Sequence, residues 1–528
     1  MKEQSVSKGF AVLSAANIIV KILSFLYIPF LSGILTDPVY GIYMAANTAY
    51  VFFYVIANSG LPSAISKLVA EQVAEGNIKD AVRSFKIARS YLLVAGIILA
   101  VLFALLSGPI SVIIKFPQAK LALIALAPAL LLTSVSSAYR GFFQGFGDMM
   151  PTAVSQVVEQ VVNTIFTLLF AYLLIDKGFD YACAGATLGT TLSVLVSTTY
   201  LIITKSRSNI YTSSSINSTV RKSYNYLSRK IVKYSVPITL SVGLTYAGNL
   251  IDTGNIMSRL IAAGIKESVA SGMYAQYTKY ISLMNLPIAI ITSLSAAIFP
   301  AVAGAIAAQN HKLLQNRINY ALKICLIVSV PSAVGLSLLS KPIYILLHFQ
   351  AYELMKYGAY VLIFMSIVQI QNSILQSSGK LFQVIPNLFI GIVVKIVANY
   401  ILIAIPQINI YGAAIGSALG YMVPIILNHM IIKHSLNIKL KLNRSIFSIV
   451  LSAIAMTATV LAVYLGLVAL LGTNSTKYIF TLLIVIPTIG LGMLAYFISL
   501  IYTGGLSEED LRFVPARFRK YLLIKKHS

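Results

Sequence analysis

The sequence predicts an all-α, polytopic membrane protein of fourteen transmembrane helices, arranged as two six-helix lobes with two extra C-terminal helices. Three observations predict it. Hydrophobic residues make up 58% of the 528-residue chain and charged residues only 10%, where soluble proteins carry about 25% charge. Mean hydropathy is +0.84, and apolar runs of about 20 residues, the length that crosses a bilayer, recur throughout. The third observation is an internal repeat that pairs the first half of the chain with the second.

Taken in order, the first lobe (1–204) holds spans at 10–33, 40–64, 90–114, 119–140, 153–175 and 182–204. Lys2 and Lys8 precede an apolar stretch that runs on to about Leu35, too long for a cleavable signal, so the first span is expected to stay. A basic linker occupies 205–233. The second lobe (234–434) holds spans at 234–257, 272–298, 320–340, 358–378, 384–405 and 410–432. Spans 446–471 and 478–502 lie in the added segment 435–502, followed by a basic tail at 503–528. The polar stretch 65–89 is expected as the other long loop.

The repeat places Ala64-Ile65, Ala70, Ala74 and Asn77 on Ala297-Ile298, Ala303, Ala307 and Asn310 at an offset of 233 residues. At an offset of 236, Glu159 falls on Lys395 and Asn163 on Asn399. Gly185-Ala186-x-x-Gly189 matches Gly412-Ala413-x-x-Gly416. A shift of six spans preserves orientation, so these are parallel repeats about an axis along the membrane normal, the plan of a V-shaped transporter.

Charge is lopsided: 40 Lys+Arg against 15 Asp+Glu, a net +25. In a soluble protein this would suggest nucleic acid; here it reads as topology, and no nucleic-acid partner is expected. With the N-terminus inside, 29 basic residues fall in cytoplasmic segments and 8 in outer ones. The asymmetry puts a multi-pass protein in the cell membrane with both termini cytoplasmic and an even span count. Trp is absent and Tyr numbers 31. Tyr50, Tyr54, Tyr246 and Tyr280 lie deep in spans, where each hydroxyl requires protein or a wet cavity. Cys183, Cys325 and five scattered histidines carry no disulfide or metal pattern. Outer loops are too short for a catalytic domain, so neither an enzyme nor a cofactor is expected.

Five ionisable residues fall within spans: Lys21, Glu159, Asp252, Lys279 and Lys395. Each would cost about 2.5–3.5 kcal/mol facing lipid, so each is expected to face protein or water. Arg140 stands at the inner mouth of span 4. Lys21, Arg140, Lys279 and Lys395 form the candidate cavity for an anionic, pyrophosphate-bearing substrate. Glu159 and Asp252 are candidates for coupling or for structural pairs, with Na+, H+ and membrane potential left open as the energy source. Glu159 and Lys395, at equivalent places in the two lobes, are candidates to meet.

Two segments carry a family resemblance. Gly60-Leu61-Pro62-Ser63-Ala64-Ile65-Ser66-Lys67-Leu68-Val69-Ala70-Glu71 is one. Arg140-Gly141-Phe142-Phe143-Gln144-Gly145, followed by Met150-Pro151-Thr152-Ala153-Val154-Ser155-Gln156-Val157-Val158-Glu159-Gln160, is the other. With Leu375-Gln376-x-x-Gly379-Lys380, Gly391-x-x-x-Lys395 and Leu506-Ser507-Glu508-Glu509-Asp510-Leu511, the chain resembles the stage V sporulation protein B family. That family is the Gram-positive relative of the MurJ-type lipid II flippases, within the multidrug/oligosaccharidyl-lipid/polysaccharide exporter superfamily. The resemblance implies fourteen helices, export of undecaprenyl-pyrophosphate-linked sugars by alternating access, and extra helices that accommodate the lipid tail. Its span-1 cation falls on Lys21, a lysine that lacks the bidentate fork of arginine. A second span-1 arginine is missing from Phe25-Leu26-Tyr27-Ile28-Pro29-Phe30, and the Arg/Glu pair before the span-8 proline is replaced by Ser282 and Asn285 before Pro287.

The expected function is therefore a flippase for a lipid-linked peptidoglycan or polysaccharide precursor, working as a monomer in the bilayer beside the cell-wall synthesis machinery. The alternative is a cation-coupled multidrug antiporter of the same superfamily, which would want twelve spans and an acidic cavity. A membrane-embedded polymerase and a non-transporting scaffold are the remaining classes.

Overall fold

The structure, a computed structural model, describes residues 6–58, 60–207, 223–438, 443–471 and 478–506. The regular elements among them are helices. In order they are α1 (Val6–Ile34), α2 (Thr36–Asn58), α3 (Gly60–Ala74), α4 (Ile78–Leu105), α5 (Ser107–Ile113), α6 (Lys120–Gly145), α7 (Met150–Leu174), α8 (Phe179–Arg207) and α9 (Tyr224–Ala262). Then come α10 (Glu267–Ala307), α11 (His311–Leu338), α12 (Ser340–Leu346), α13 (Tyr352–Gly358), α14 (Val361–Ser377), α15 (Leu381–Leu402), α16 (Tyr411–Ser435), α17 (Asn443–Leu471) and α18 (Tyr478–Tyr502).

Among the described residues, twelve helical stretches are long and apolar enough to cross a membrane, and thirteen if α13 and α14, bent by 54°, form one span. Length and composition thus support twelve or thirteen spans where fourteen were expected. The difference is the seventh, which lies in α9. This helix runs 39 residues, ample for a bilayer, but Ser235, Thr239, Thr245, Asn249, Asp252, Thr253 and Asn255 dilute its apolar character. The polar stretch 65–89 is not a loop. It continues as α3 and, after a short corner, as the start of α4. Most of the basic linker (208–222) and of the basic tail (507–528) lies outside the described residues.

The repeat seen in the sequence recurs in the corners between helices. After α3, Gly76 takes φ +73° and donates to Val73 O at 3.0 Å, while Asn77 donates to Gln72 O at 2.8 Å. After α10, Gln309 (φ +52°) donates to Ile306 O at 2.9 Å and Asn310 to Ala305 O at 3.2 Å. Both are helix ends closed through a left-handed residue. Asn77 and Asn310 then cap the next helix, accepting from Asp80 N–H at 3.1 Å and Leu313 N–H at 2.9 Å. Lys115 (φ +62°) and His348 (φ +53°) make the same corner before Phe116 and Phe349, as do Gly147 (φ +77°) and Gly379 (φ +74°) after Gln144-x-x and Gln376-x-x. Glycine suits the last pair because it alone enters this region without strain.

Contacts divide the chain into two units: Met1–Lys279 with Ile396–Ala413, and Tyr280–Lys395 with Ala414–Ser528. Helix α10 therefore begins in the first and ends in the second. In the first unit, α3, α4 and α6 share a core rich in aromatic side chains, with Phe85, Tyr139, Phe142 and Phe143 buried together. Helices α7 and α8 approach so closely that a β-carbon on Gly189 would lie 2.4 Å from Thr167 N. In the second unit, Ile318, Cys325, Ile374 and Val384 form one core. A separate cluster of Ile449, Met456, Val460 and Tyr496 fixes α17 and α18 to α11, where the Tyr496 hydroxyl donates to Ile327 O at 3.1 Å.

Gly189→Ala is expected to lower the thermal unfolding midpoint of the detergent-solubilised protein, as overpacking of about 1–3 kcal/mol requires. Gly466→Ala, where nothing lies within 4 Å, leaves it unchanged.

Candidate functional site

Three separate constellations in the first unit hold Lys279, the Arg140–Glu159 pair and Asp252. The first begins at the corner between α1 and α2, where Thr36 takes φ +51° and places Asp37 in the first turn of α2. The Lys279 ammonium of α10 donates to Asp37 Oδ1 and lies 5.4 Å from the Tyr40 ring centroid. Lys279 is 1% exposed and Asp37 16%, so this pair is removed from water; Asp37 Oδ2 is buried without a hydrogen-bond partner. Around it the chain closes tightly. Ser271 Oγ donates to Pro38 O at 2.6 Å, and a β-carbon on Gly41 would lie 2.3 Å from Ser271 O. A β-carbon on Gly254 would lie 2.8 Å from Ile113 O, and Gln118 Nε2 donates to Glu267 Oε1 at 3.3 Å. Helices of the first repeat (α2, α5) are thereby sealed against helices of the second (α9, α10). Asp37 was missed in the sequence because it stands between two spans, where an acid reads as an ordinary helix-start charge.

The second constellation joins α6, α7 and α8. Arg140 Nη2 donates to Glu159 Oε2 at 2.6 Å and to Ser197 Oγ at 3.1 Å, while Nε donates to Ser155 Oγ at 3.1 Å. Glu159 thus has its charge partner in the first lobe. Side-chain exposures of 14% for Arg140 and 27% for Glu159 leave the pair partly open. Arg140 Nη1 has no hydrogen-bond partner among the described residues, so two N–H donors remain for an anion. The rings of Tyr50 and Tyr54 of α2 lie 6.0 Å apart between centroids, tilted by 38°, within electrostatic reach of Glu159.

The third ties α9 to the end of α15. Asn399, fully buried, donates to Asp252 Oδ1, and Asp252 is 4% exposed. Asn255 Nδ2 donates to Ile396 O at 2.9 Å, and the Arg259 guanidinium lies 4.0 Å from the Tyr400 ring centroid. Asn163, the repeat counterpart of Asn399, instead receives hydroxyls from Thr167 at 2.8 Å and Thr190 at 3.2 Å.

Lys395 lies in the second unit, half-buried on α15, where its β-carbon is 2.7 Å from the place a Gly420 β-carbon would take. Near it in the chain, Asn387 Nδ2 donates to Asn428 Oδ1 at 2.8 Å and Asn428 Nδ2 to Asn372 Oδ1 at 2.9 Å, a buried ladder the sequence did not single out. Tyr280 in this unit is fully buried and donates to Gly358 O at 2.8 Å, as a deep tyrosine requires.

Lys21 is exposed and forms no ion pair or hydrogen bond among the described residues. It is the sixteenth of the 29 residues of α1. The face of α1 that meets α7 is marked by Val12, Ala15, Ala16 and Ile19, which with Ala153, Val154, Val157 and Val158 line an apolar cavity of about 330 Å3. At 3.6 residues per turn Lys21 points about 180° away from Val12. Pairing separates these charges: Arg140 with Glu159, Lys279 with Asp37, Asp252 with Asn399, and Lys21 alone among the described residues.

Removing one member of the Lys279–Asp37 pair leaves the other charge buried. Asp37→Leu or Lys279→Met alone is expected to destabilise the solubilised protein by about 3–5 kcal/mol, and the double substitution by much less. Thermal unfolding of the three variants checks the coupling.

The polysaccharide biosynthesis protein family matches residues 6–305. Lipid II flippase MurJ of Bacillus subtilis (strain 168) is 29% identical over 479 residues, covering 85% of this chain and 86% of that protein. Stage V sporulation protein B of the same organism is 26% identical over 462 residues, covering 84% and 86%. The inward-facing structure of a multidrug resistance MATE family transporter of the MOP superfamily matches with a TM-score of 0.64 at 17% identity, covering 80% of this chain and 98% of that one. That likeness is one of fold. With more than half of its length matched by the family and its helices in the fold of that superfamily, the chain belongs to the polysaccharide biosynthesis protein family.

Proposed function

We propose that the protein is a flippase that carries an undecaprenyl-pyrophosphate-linked, lipid II-like precursor from the inner to the outer leaflet of the cytoplasmic membrane by alternating access. Similarity to lipid II flippase MurJ over 85% of the chain supports the substrate class. The observation that carries the reading is Lys21, a cation midway along an apolar helix with no partner among the described residues. Such a charge costs about 2.5–3.5 kcal/mol facing lipid. A pyrophosphate offsets that cost, whereas a cationic drug would add to it.

In this reading Lys21 and the outward N–H groups of Arg140 attract the pyrophosphate, and Lys395 assists from the second repeat. The prenyl chain stays in lipid. The Lys279–Asp37 pair acts as a latch at the outer end, holding the two repeats together until the headgroup is loaded. Glu159, which already balances Arg140, and Asp252 are where H+ or Na+ would act on the cycle. Both termini lie in the cytoplasm, and the protein works as a monomer beside the enzymes that make and use the precursor.

Lys21→Ala is expected to abolish growth rescue in a strain depleted of its lipid II flippase, at normal expression, while Lys21→Arg keeps it. Normal rescue by Lys21→Ala removes Lys21 from the mechanism. Rescue failure by the parent chain, combined with resistance to cationic dyes, would favour a multidrug antiporter. For the latch, Asp37→Cys with Lys279→Cys is expected to lose transport on bridging with a short thiol-specific cross-linker and to regain it on reduction.

A further inference from the structure

A cluster of cations sits on the first unit outside the constellations described above. Lys205, in the last turn of α8, places its ammonium 4.9 Å from the Phe85 ring centroid and 5.4 Å from that of Phe142. Arg89 of α4 approaches the same Phe85 ring at 5.8 Å and donates from Nη1 to the Tyr139 hydroxyl at 3.4 Å. Lys86 and Arg89 are close enough to Lys205 to repel it, and neither has a carboxylate partner among the described residues. Lys205 and Arg89 thus share the Phe85 ring, with Lys86 as a third like charge beside them. Aromatic faces attract cations but accept no ordinary hydrogen bond, so Lys86 and Arg89, with no carboxylate partner among the described residues, keep N–H donors for an oxyanion, and Lys205 adds a third positive charge.

The fold does not need this arrangement. At the repeat offset of 233, Phe85 and Arg89 correspond to Ile318 and Leu322, both buried in the apolar core of the second unit. Beyond the cations, apolar residues face outward along both helices: Leu93 (41% exposed) and Ile97 (43%) on α4, and Leu195 (46%) and Ile202 (42%) on α8. Cations at the start of an apolar run, followed by outward aliphatic side chains, match an amphiphile with an anionic head and a hydrocarbon chain. The geometry points to a site for the phosphate head of an anionic phospholipid, formed by Lys86, Arg89 and Lys205 over Phe85, Tyr139 and Phe142. The occupant is a lipid of the surrounding leaflet, and the site is independent of which precursor is transported.

The absence of tryptophan gives a clean test. The full chain carrying Ile202→Trp is reconstituted in vesicles containing either brominated phosphatidylglycerol or brominated phosphatidylcholine with the same chains, and fluorescence quenching is compared. The expected result is a preference for phosphatidylglycerol on the order of ten-fold, falling to near one with Arg89→Ala and Lys205→Ala together. Lys205→Arg keeps it, as does the pair Lys312→Ala with Arg317→Ala in the second unit. A Val101→Trp reporter, farther along α4, shows no preference. Equal quenching by the two lipids at the Ile202→Trp reporter overturns the site, as does a preference that survives the double substitution. If unbrominated polyprenyl phosphate relieves the quenching at a mole fraction where unbrominated phosphatidylglycerol does not, the site belongs to the substrate and the assignment to bulk lipid fails.

Discussion

A lysine taken almost wholly out of water holds its charge only beside a carboxylate, and the Lys279–Asp37 pair is where that requirement shapes this protein. Lys279 is the last residue of α10 assigned to the first unit, so the pair marks where this long helix passes from one body of contacts to the next. Its geometry explains the neighbouring sequence. Gly41 must be glycine-sized because Ser271 O occupies the space of its β-carbon, and Ser271 reaches Pro38 O in the same seam. Breaking such a pair without moving both charges to water is costly. A closure of this kind holds firmly yet opens as a unit, since hydration of both groups returns what separation removes.

The internal repeat governs the corners but not the chemistry. Three corners recur with a left-handed residue at the same place and the same pair of backbone hydrogen bonds, at Gly76 and Gln309, Lys115 and His348, and Gly147 and Gly379. Aligned by Gln144-x-x-Gly147 and Gln376-x-x-Gly379, Arg140 falls on Asn372. The first repeat answers that position with an ion pair to Glu159, the second with a ladder of asparagines through Asn428 to Asn387. Both satisfy buried polar groups, but only the first leaves cationic donors for an anion. The two halves share a scaffold and divide the tasks.

Much of the architecture was legible in advance because apolar run length is a physical requirement of the bilayer. Every one of the twelve long apolar stretches falls on an expected span, and the bent pair α13–α14 falls on the tenth. What escaped was set by tertiary contact. Nothing in the polarity of 65–89 distinguished a loop from the amphipathic helix that packs Ile65, Leu68 and Val69 into a core. Asp37 lay between spans and gave no sign that Lys279, 242 residues away, needs it. The charges in the spans were recognised individually, while their partners depended on which helices became neighbours. Glu159 has the same place in its repeat as Lys395, yet its partner is Arg140. Conversely, the net +25 is not confined to loops: Lys67 lies on α3, and Lys79, Arg83, Lys86 and Arg89 lie on α4.

The central claim is that an anionic, lipid-linked headgroup crosses the membrane on this chain. It is tested most directly by purifying the protein into vesicles loaded with lipid II on one leaflet and following the headgroup with an impermeant label on the other. The account predicts protein-dependent transfer of lipid II with little transfer of a cationic dye. Headgroup transfer no faster than in protein-free vesicles, under an imposed membrane potential and with Na+ and H+ gradients of either sign, would contradict it.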